Sequence, residues 1–224
     1  MIMDRLKSAL RMCITRLRMT QQRNIALGKQ ARRAIAGLIE SGRMESARIR
    51  VENIINDDIH IELLEILELY CELLLARIGL LEERECNPGL EEAVKSIMHA
   101  APKSGIKELN TVRDMLAQRF GREFAVDAQE NGMGKVAKRV LAKLSVDPPS
   151  PTLVELYLRE IARAYALPFP GDGVKEEEEE AEEEAPISVS APTPTTDDPA
   201  PKLNTQPGES LDDLTKRFNA LKKI

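Results

Sequence analysis

RLKSALRMCITRLRMTQQRNIALGKQARRAIAGLI, residues 5–39, holds nine Arg or Lys side chains and not one Asp or Glu. At 100° per residue, Leu6, Leu10, Cys13, Leu17, Leu27, Ala31, Ile35 and Leu38 fall on one broad face. Lys7, Arg11, Arg18, Lys29 and Arg33 fall on the opposite side, with Arg5, Arg16 and Arg23 on a second flank. Polar residues interrupt the apolar seam between Thr20 and Asn24. The pattern predicts a single helix of about 35 residues, roughly 50 Å long at 1.5 Å per residue. That is far longer than the average globular helix.

Ser41-Gly42 then marks a tight turn. A second long pattern runs over residues 44–85, with Ala47, Val51, Ile54, Ile61, Leu64, Leu67, Leu74 and Ile78 as buried candidates. Two long helices joined by so short a turn must lie antiparallel. Within the most apolar stretch, Glu62, Glu65, Glu68 and Glu72 recur at helical spacing, which predicts one solvated stripe. Four carboxylates there argue against a bilayer span.

Shorter helices follow. Asn87-Pro88 supplies a cap and a first-turn proline, and Leu90, Val94, Ile97 and Ala101 give the buried face before Pro102 stops the helix. Ile106, Leu109, Val112, Leu116, Phe120 and Phe124 predict a helix over residues 104–124. Another, using Val136, Val140, Leu141 and Leu144, follows residues 131–134. After the stiff run of Pro148, Pro149 and Pro151, Thr152 and Glu155 read as a capping box. The helix they open has Leu153, Leu156, Ile161 and Tyr165 as its apolar face and ends before Pro168.

Composition agrees with this reading. Aromatic residues make up 3% of the chain and Trp is absent, and no run of alternating β-branched residues bounded by turn signals occurs. The fold class is all-α: a long antiparallel hairpin with shorter helices packed on it. Net charge is −5, an average over two unlike pieces. Residues 168–224 carry 14 acids and 6 bases, whereas the preceding 167 residues carry 23 acids and 26 bases. Three cysteines, Cys13, Cys71 and Cys86, lack metal-ligand spacing and read as small buried apolar side chains. Their odd number and the lack of a signal peptide imply reduced thiols in the cytosol.

From Pro168 the character changes. Eight Glu fall within residues 176–184, followed by a Pro, Ser and Thr-rich stretch with almost no large apolar side chains. Such a segment cannot offset its conformational entropy by burial, so residues 168–209 read as a disordered linker. The last fourteen residues differ again. Leu211, Leu214, Phe218 and Leu221 form one helical stripe, Ser210 can cap it, and Arg217, Lys222 and Lys223 lie toward its negative end. So short a helix is marginal alone. Residues 210–224 therefore read as a docking peptide that folds in a partner's groove.

Several runs carry a resemblance: ARIRVENII at 47–55, ELYCELLLAR at 68–77, AAP at 100–102, KLSV at 143–146 and LYLREI at 156–161. Together they closely resemble the increased-sodium-tolerance (Ist) family of ESCRT-III-like regulators of the vacuolar-protein-sorting AAA ATPase. The terminal motif is similar to the type-one MIT-interacting motif, with Leu214, Arg217, Leu221 and Lys222 at its positions. Phe218 stands where the motif has Leu, and Leu211 stands where an acid often precedes the first leucine. The resemblance implies an ESCRT-III-like helical domain over residues 1–167, with the last body helix folded back on the hairpin in a closed state. It implies entry of released forms into membrane-remodelling homo- or hetero-polymers, and a groove for another subunit's terminal motif. It further implies ESCRT-III subunits and MIT-domain proteins, the AAA ATPase among them, as partners, and action in multivesicular body sorting and protein transport at cytoplasmic, peripheral endosomal sites.

Catalysis has little support. His60 and His99 lie inside helical patterns without a triad, and GMGK at 132–135 lacks the spacing and following hydroxyl of a phosphate loop. No cofactor or metal is expected, and any ATP hydrolysis belongs to the partner. For the basic face of the first helix, three readings stand: a solvated face, nucleic acid, and an anionic leaflet. The absence of aromatics for base stacking counts against nucleic acid, and each Lys or Arg near an anionic surface contributes about 1 kcal/mol. The expected protein is a non-enzymatic adaptor, with Leu211, Leu214, Arg217, Phe218, Leu221 and Lys222 engaging MIT domains. The alternative is a filament subunit whose terminal helix seals its own hairpin. A self-inhibitory acidic tract at 176–184 competing for Arg11, Arg18 and Arg33 is a third, weaker reading.

Overall fold

Nothing in the first forty residues stops a helix: there is no proline, and Gly28 and Gly37 each cost only about 1 kcal/mol relative to Ala. The computed structural model describes residues 2–169 apart from 84 and 146, and among them it holds seven α-helices and no strand. The first, α1 (Ile2–Glu40), ends as the turn signal required. Gly42 takes φ 73°, its N–H donates to Ile39 O at 3.0 Å, and Arg43 N–H donates to Leu38 O at 2.9 Å. That pair of bonds satisfies the last carbonyls in a left-handed C-cap, which only glycine adopts without strain. Then α2 (Met44–Ala76) begins.

The described residues divide into two compact units, one of residues 2–34 with Ile49–Pro149, the other of Ile35–Arg48 with residues 150–169. In the first unit, Arg18 bonds to Glu68 and Arg32 to Asp58, so numbers rise along α1 as they fall along α2. The two helices are antiparallel. Leu6, Leu10, Cys13 and Leu17 are buried with Leu63, Leu64, Leu67, Cys71 and Leu74 in one apolar core. Each such Leu contributes about 1.5–3 kcal/mol relative to an exposed one. Leu27, predicted to be buried, is 49% exposed, because the seam drifts off the covered face beyond the polar break.

The predicted solvated stripe of α2 is also corrected. Glu68 and Glu72 both receive Arg18, Gln21 donates to Glu68 at 2.8 Å, and Glu62 receives Lys143. Only Glu65 of the four is exposed. A periodic row of acids marks a face, and basic residues brought in from other helices decide whether that face meets water.

α2 stops at Ala76, earlier than predicted, and a 3₁₀ turn spans Ile78–Glu82. Arg119 explains the difference. It donates to Leu81 O, Glu82 O and Glu83 O at 3.1, 2.7 and 2.5 Å, satisfying carbonyls a continuing helix would have used.

At the centre lies α3 (Pro88–Ala100), opened by Asn87, whose side chain accepts from Gly89 N–H at 2.9 Å. Every residue from 93 to 101 is buried, as befits a helix with neighbours on all sides. Its polar residues are consequently paired. Ser96 Oγ accepts from Ala137 N–H at 3.0 Å, and His99 Nδ1 donates to Ala128 O at 3.1 Å. His99 is thus structural.

The predicted helix over residues 104–124 is two helices, α4 (Lys107–Phe120) and α5 (Arg122–Glu130). Gly121, at φ 94° and ψ 168°, breaks them in a backbone region nearly closed to other residues. Apolar periodicity runs through the break because Phe120 and Phe124 still touch, ring centroids 5.1 Å apart. After α5, Asn131 at φ 54° and the Asp127 and Asn131 side chains, which accept from Met133 and Val136 N–H, shape residues 131–136. The GMGK run is therefore a carboxylate- and amide-pinned turn leading to α6 (Lys138–Leu144).

In the second unit, the hairpin tip and α7 (Pro151–Ala164) share an apolar interior. Ile35, Ala36, Ile39 and Ala47 are buried there, as are Val154, Tyr157, Leu158, Ile161 and Ala162. This spacing of three, one, three and one is the inward face, one register step from the predicted Leu153, Leu156 and Tyr165, which are half-buried. The predicted cap also moves. Ser150, followed by Pro151, accepts from Leu153 N–H at 3.2 Å, so the helix opens two residues before Thr152. Glu155 instead faces Arg48 at 3.6 Å.

Candidate functional site

A groove of about 530 Å³ runs beside α2 in the first unit. One wall is the α2 face carrying Glu52, Asn56, Ile59, His60 and Leu63. The other is the end of α6 and the chain after it, from Ala142 through Leu144 to Asp147, Pro148 and Pro149. The sequence dictates both walls. Successive α2 positions at steps of three and four point one way, and the proline pair keeps the second wall extended and short of donors.

Lys143 fixes one end of this groove by its bond to Glu62. At 1.5 Å per residue, Glu52 stands about 15 Å from that point along α2. Glu52 and Asp147 are exposed, and neither has an ion-pair partner among the described residues. Ile59 and Leu144 are half-buried and Leu63 is 1% exposed, so apolar floor alternates with polar rim. This is the anatomy of a site for an amphipathic helix.

His60 stands half-buried in the α2 wall. Burial pushes its pKa below the ordinary histidine value, while the charge of Asp57 acts in the opposite direction. For Asp57 itself, burial followed by the Asp58 charge raises the pKa. None of these groups forms a nucleophile–base pair, and among the described residues no cluster of three or more His, Cys, Asp or Glu side chains could hold a metal. Cys13 and Cys71 lie fully buried, and Cys86 is half-buried, with its thiol pushed up to about 11 by burial. The thiolate fraction of Cys86 at neutral pH is accordingly negligible.

The cationic face of α1 is only partly free. Lys7, Arg11, Lys29 and Arg33 are exposed and lack ion-pair partners among the described residues. Arg18, predicted to belong with them, is drawn down onto Glu68 and Glu72, and this lifts its pKa further. On the flank, Arg16 donates to Glu108 at 2.8 Å and thereby lowers that carboxyl's pKa. Between these cations, Met12 and Met19 are 61% and 58% exposed. No helix among the described residues is long and apolar enough to cross a membrane. Leu211, Leu214, Arg217, Phe218, Leu221 and Lys222, with all of residues 170–224, lie outside the described residues.

Sequence periodicity could not reveal the groove, because its walls are eighty residues apart in the chain. The one local signal was the pair Pro148-Pro149, which reads as a connection until α2 is placed beside it.

Residues 7–168 match the family model of Ist1, described as a regulator of Vps4 activity in the MVB pathway. The vacuolar protein sorting-associated protein IST1 of Saccharomyces cerevisiae is 39% identical over 175 residues, covering 74% of this chain and 58% of that protein. The Schizosaccharomyces pombe counterpart is 36% identical over 176 residues, covering 78% and 64%. The chain thus spans less than two thirds of either relative. Among solved structures, the S. cerevisiae Ist1 N-terminal domain, crystallised with the Did2 MIM motif, matches with a TM-score of 0.71 at 38% identity. That match covers 75% of this chain and 95% of the crystallised one. A family match across most of the helical body, on the same fold, leaves one conclusion: the chain belongs to the Ist1 family.

Proposed function

We propose that this protein is a non-enzymatic, ESCRT-III-associated adaptor of the multivesicular body pathway. Its helical body receives the terminal motif of an ESCRT-III subunit in the α2 groove, and its own terminal motif engages MIT domains, that of the Vps4-type AAA ATPase among them. The observation that carries this reading is the likeness, at 38% identity, to a domain solved with a MIM motif bound. The groove adds the physical means, an apolar floor with a rim of mixed charge on which Glu52 and Asp147 are unpaired among the described residues and Lys103 and Lys143 supply cations.

At the other end of the chain, Leu214, Phe218 and Leu221 supply apolar contact, while Arg217 and Lys222 align the peptide against acidic groups. A single helix of this size binds in the micromolar range, about −8 kcal/mol, and polymerisation adds avidity. The free cations Lys7, Arg11, Lys29 and Arg33 favour peripheral residence on the anionic cytosolic face of endosomes. Nucleotide hydrolysis stays with the ATPase.

Calorimetry of the full chain against the Vps4 MIT domain tests the adaptor. Leu221→Asp, in the terminal stripe, should weaken binding by tenfold or more and leave the helical content of the body unchanged. Equal affinity of the two proteins would reject the terminal motif as the docking element. Loss of the folded body in the variant would favour the filament-subunit alternative, in which the terminal helix seals its own hairpin.

A further inference from the structure

The α2 face that walls the groove continues past it. At 100° per residue, Ile49 falls on the same side of α2 as Glu52, Asn56, His60 and Leu63, one turn beyond Glu52 toward the hairpin turn. At 63% exposure it is the most exposed isoleucine, leucine or valine among the described residues. We propose that Ile49 is a further anchor of this site, and that an ESCRT-III terminal helix lying along α2 runs past the cavity to cover it. This rests on the function proposed above and names the length and chemistry of the peptide that the site takes.

Apolar area favours the longer footprint. A docked helix is held by the apolar surface it removes from water. Inside the cavity little such surface is left, since Leu63 is 1% exposed and Ile59 and Leu144 are half-buried. The large exposed apolar side chain on that face of α2 is Ile49, and its neighbours Glu52, Asn53 and Asn56 are exposed as well. From Glu52 to Leu63 the cavity would be spanned by a helix of about eleven residues. From Ile49 to Leu63 the distance is about 21 Å, the length of about fourteen.

Charge gives the groove little grip of its own. Glu52 and Asp147 have no ion-pair partner among the described residues, and Lys103 sets a cation against them on the same rim. Lys103 Nζ lies 3.4 Å from His99 Nε2, and Lys143 is engaged by Glu62. The rim is therefore close to neutral, and apolar contact must supply the affinity. Beside Ile49 the charges are local: Glu52 stands on the groove side, and Arg50 points about 100° away around the helix, both exposed. The peptide that fits carries an apolar residue over Ile49 and a Lys or Arg within reach of Glu52.

Fluorescence anisotropy of the full-length chain with labelled Did2 MIM peptide tests this, using the whole peptide and versions shortened by one helical turn at either end. Ile49→Asp should weaken the whole peptide about tenfold, the effect of losing one buried isoleucine contact, and leave the thermal melt of the protein unchanged. Leu69→Asp, on another side of α2 and 58% exposed in the wild type, should leave affinity unchanged. One of the two shortened peptides should bind the wild type and Ile49→Asp equally, because it no longer reaches that turn. If Ile59→Asp weakens binding and Ile49→Asp does not, this inference fails and the proposed function stands. Equal weakening by Ile49→Asp and Leu69→Asp would also overturn it, as would the same loss on Ile49→Asp for both shortened peptides. If Ile49→Asp abolishes self-association in sedimentation and leaves peptide binding intact, the strip belongs to a second copy and the inference is wrong. If neither Ile59→Asp nor Ile49→Asp alters binding, the groove reading fails with it.

Discussion

Lys95 Nζ lies 2.6 Å from Asp127 Oδ2, with the lysine side chain only 3% exposed. Glu91 approaches the same ammonium at 2.7 Å, and the Phe124 ring lies 4.9 Å from it. A buried cation is tolerated because two carboxylates and a ring face replace its water. This one residue of α3 therefore fastens α5 and the turn that follows it.

Removing the cation should leave two carboxylates crowded together. Lys95→Ala should destabilise the fold by about 3 kcal/mol, and Lys95→Met should cost less because the stem's packing on Phe124 survives. Urea unfolding measures both. A loss under about 0.5 kcal/mol for Lys95→Ala, the range of ordinary surface changes, would show that the pair is merely tolerated.

Gly121 joins α4 to α5 at φ 94°. No heavy atom lies within 4 Å of where a Cβ would stand, so the cost of a side chain there is backbone strain alone. Gly121→Ala should cost about 1–3 kcal/mol, whereas Gly37→Ala, also unobstructed but helical, should stabilise by a few tenths up to about 1 kcal/mol. Thermal unfolding of the pair would separate conformational strain from crowding.

Ser150 caps α7 through its bond to Leu153 N–H. Ser150→Ala should cost about 1 kcal/mol, and Thr152→Ala, at an exposed position within the first turn, should cost less. If the order were reversed, the helix would begin at Thr152 and the capping assignment would be wrong.

His60 makes stability depend on pH in a definite direction. Burial lowers its folded pKa, so below about pH 6.5 the unfolded chain takes up a proton that the folded chain resists. The stabilisation is complete above that pH and is lost as pH falls through the lower folded value. Melting temperatures at pH 7.5 and 5.5 should therefore fall further apart in the wild type than in His60→Gln. An identical spread in the two proteins would contradict the burial effect.

Periodicity made the hairpin legible, since thirty or more residues of seam leave few alternatives to a long helix, and every α2 position predicted as core is buried or half-buried. Asn87-Pro88, Ser41-Gly42 and Pro102 also acted as their chemistry requires. What failed was tertiary in origin. Leu27 faces water because it lies off the side of α1 that Gln21 and Arg32 bring against α2, and Arg18 left the cationic face because Glu68 and Glu72 face it across the hairpin. Gly121 was hidden inside a continuous apolar pattern, because the phenylalanines on either side of it still touch. On the inward face of α7 Ile161 is buried as expected, whereas Leu153, Leu156 and Tyr165 stand one step off it, since Leu and Tyr occur on both sides of that helix. The groove needed two distant segments brought side by side, which no local pattern in the sequence announces.

The most direct measurement is NMR of the isotope-labelled full-length protein titrated with the Did2 MIM peptide. The account predicts that amide shifts concentrate at Glu52, Asn56, Ile59 and His60 on α2 and at Leu144, Ser145 and Asp147 opposite, while α4 and α5 stay still. Saturable shifts confined to another surface, or none at millimolar peptide, would contradict it.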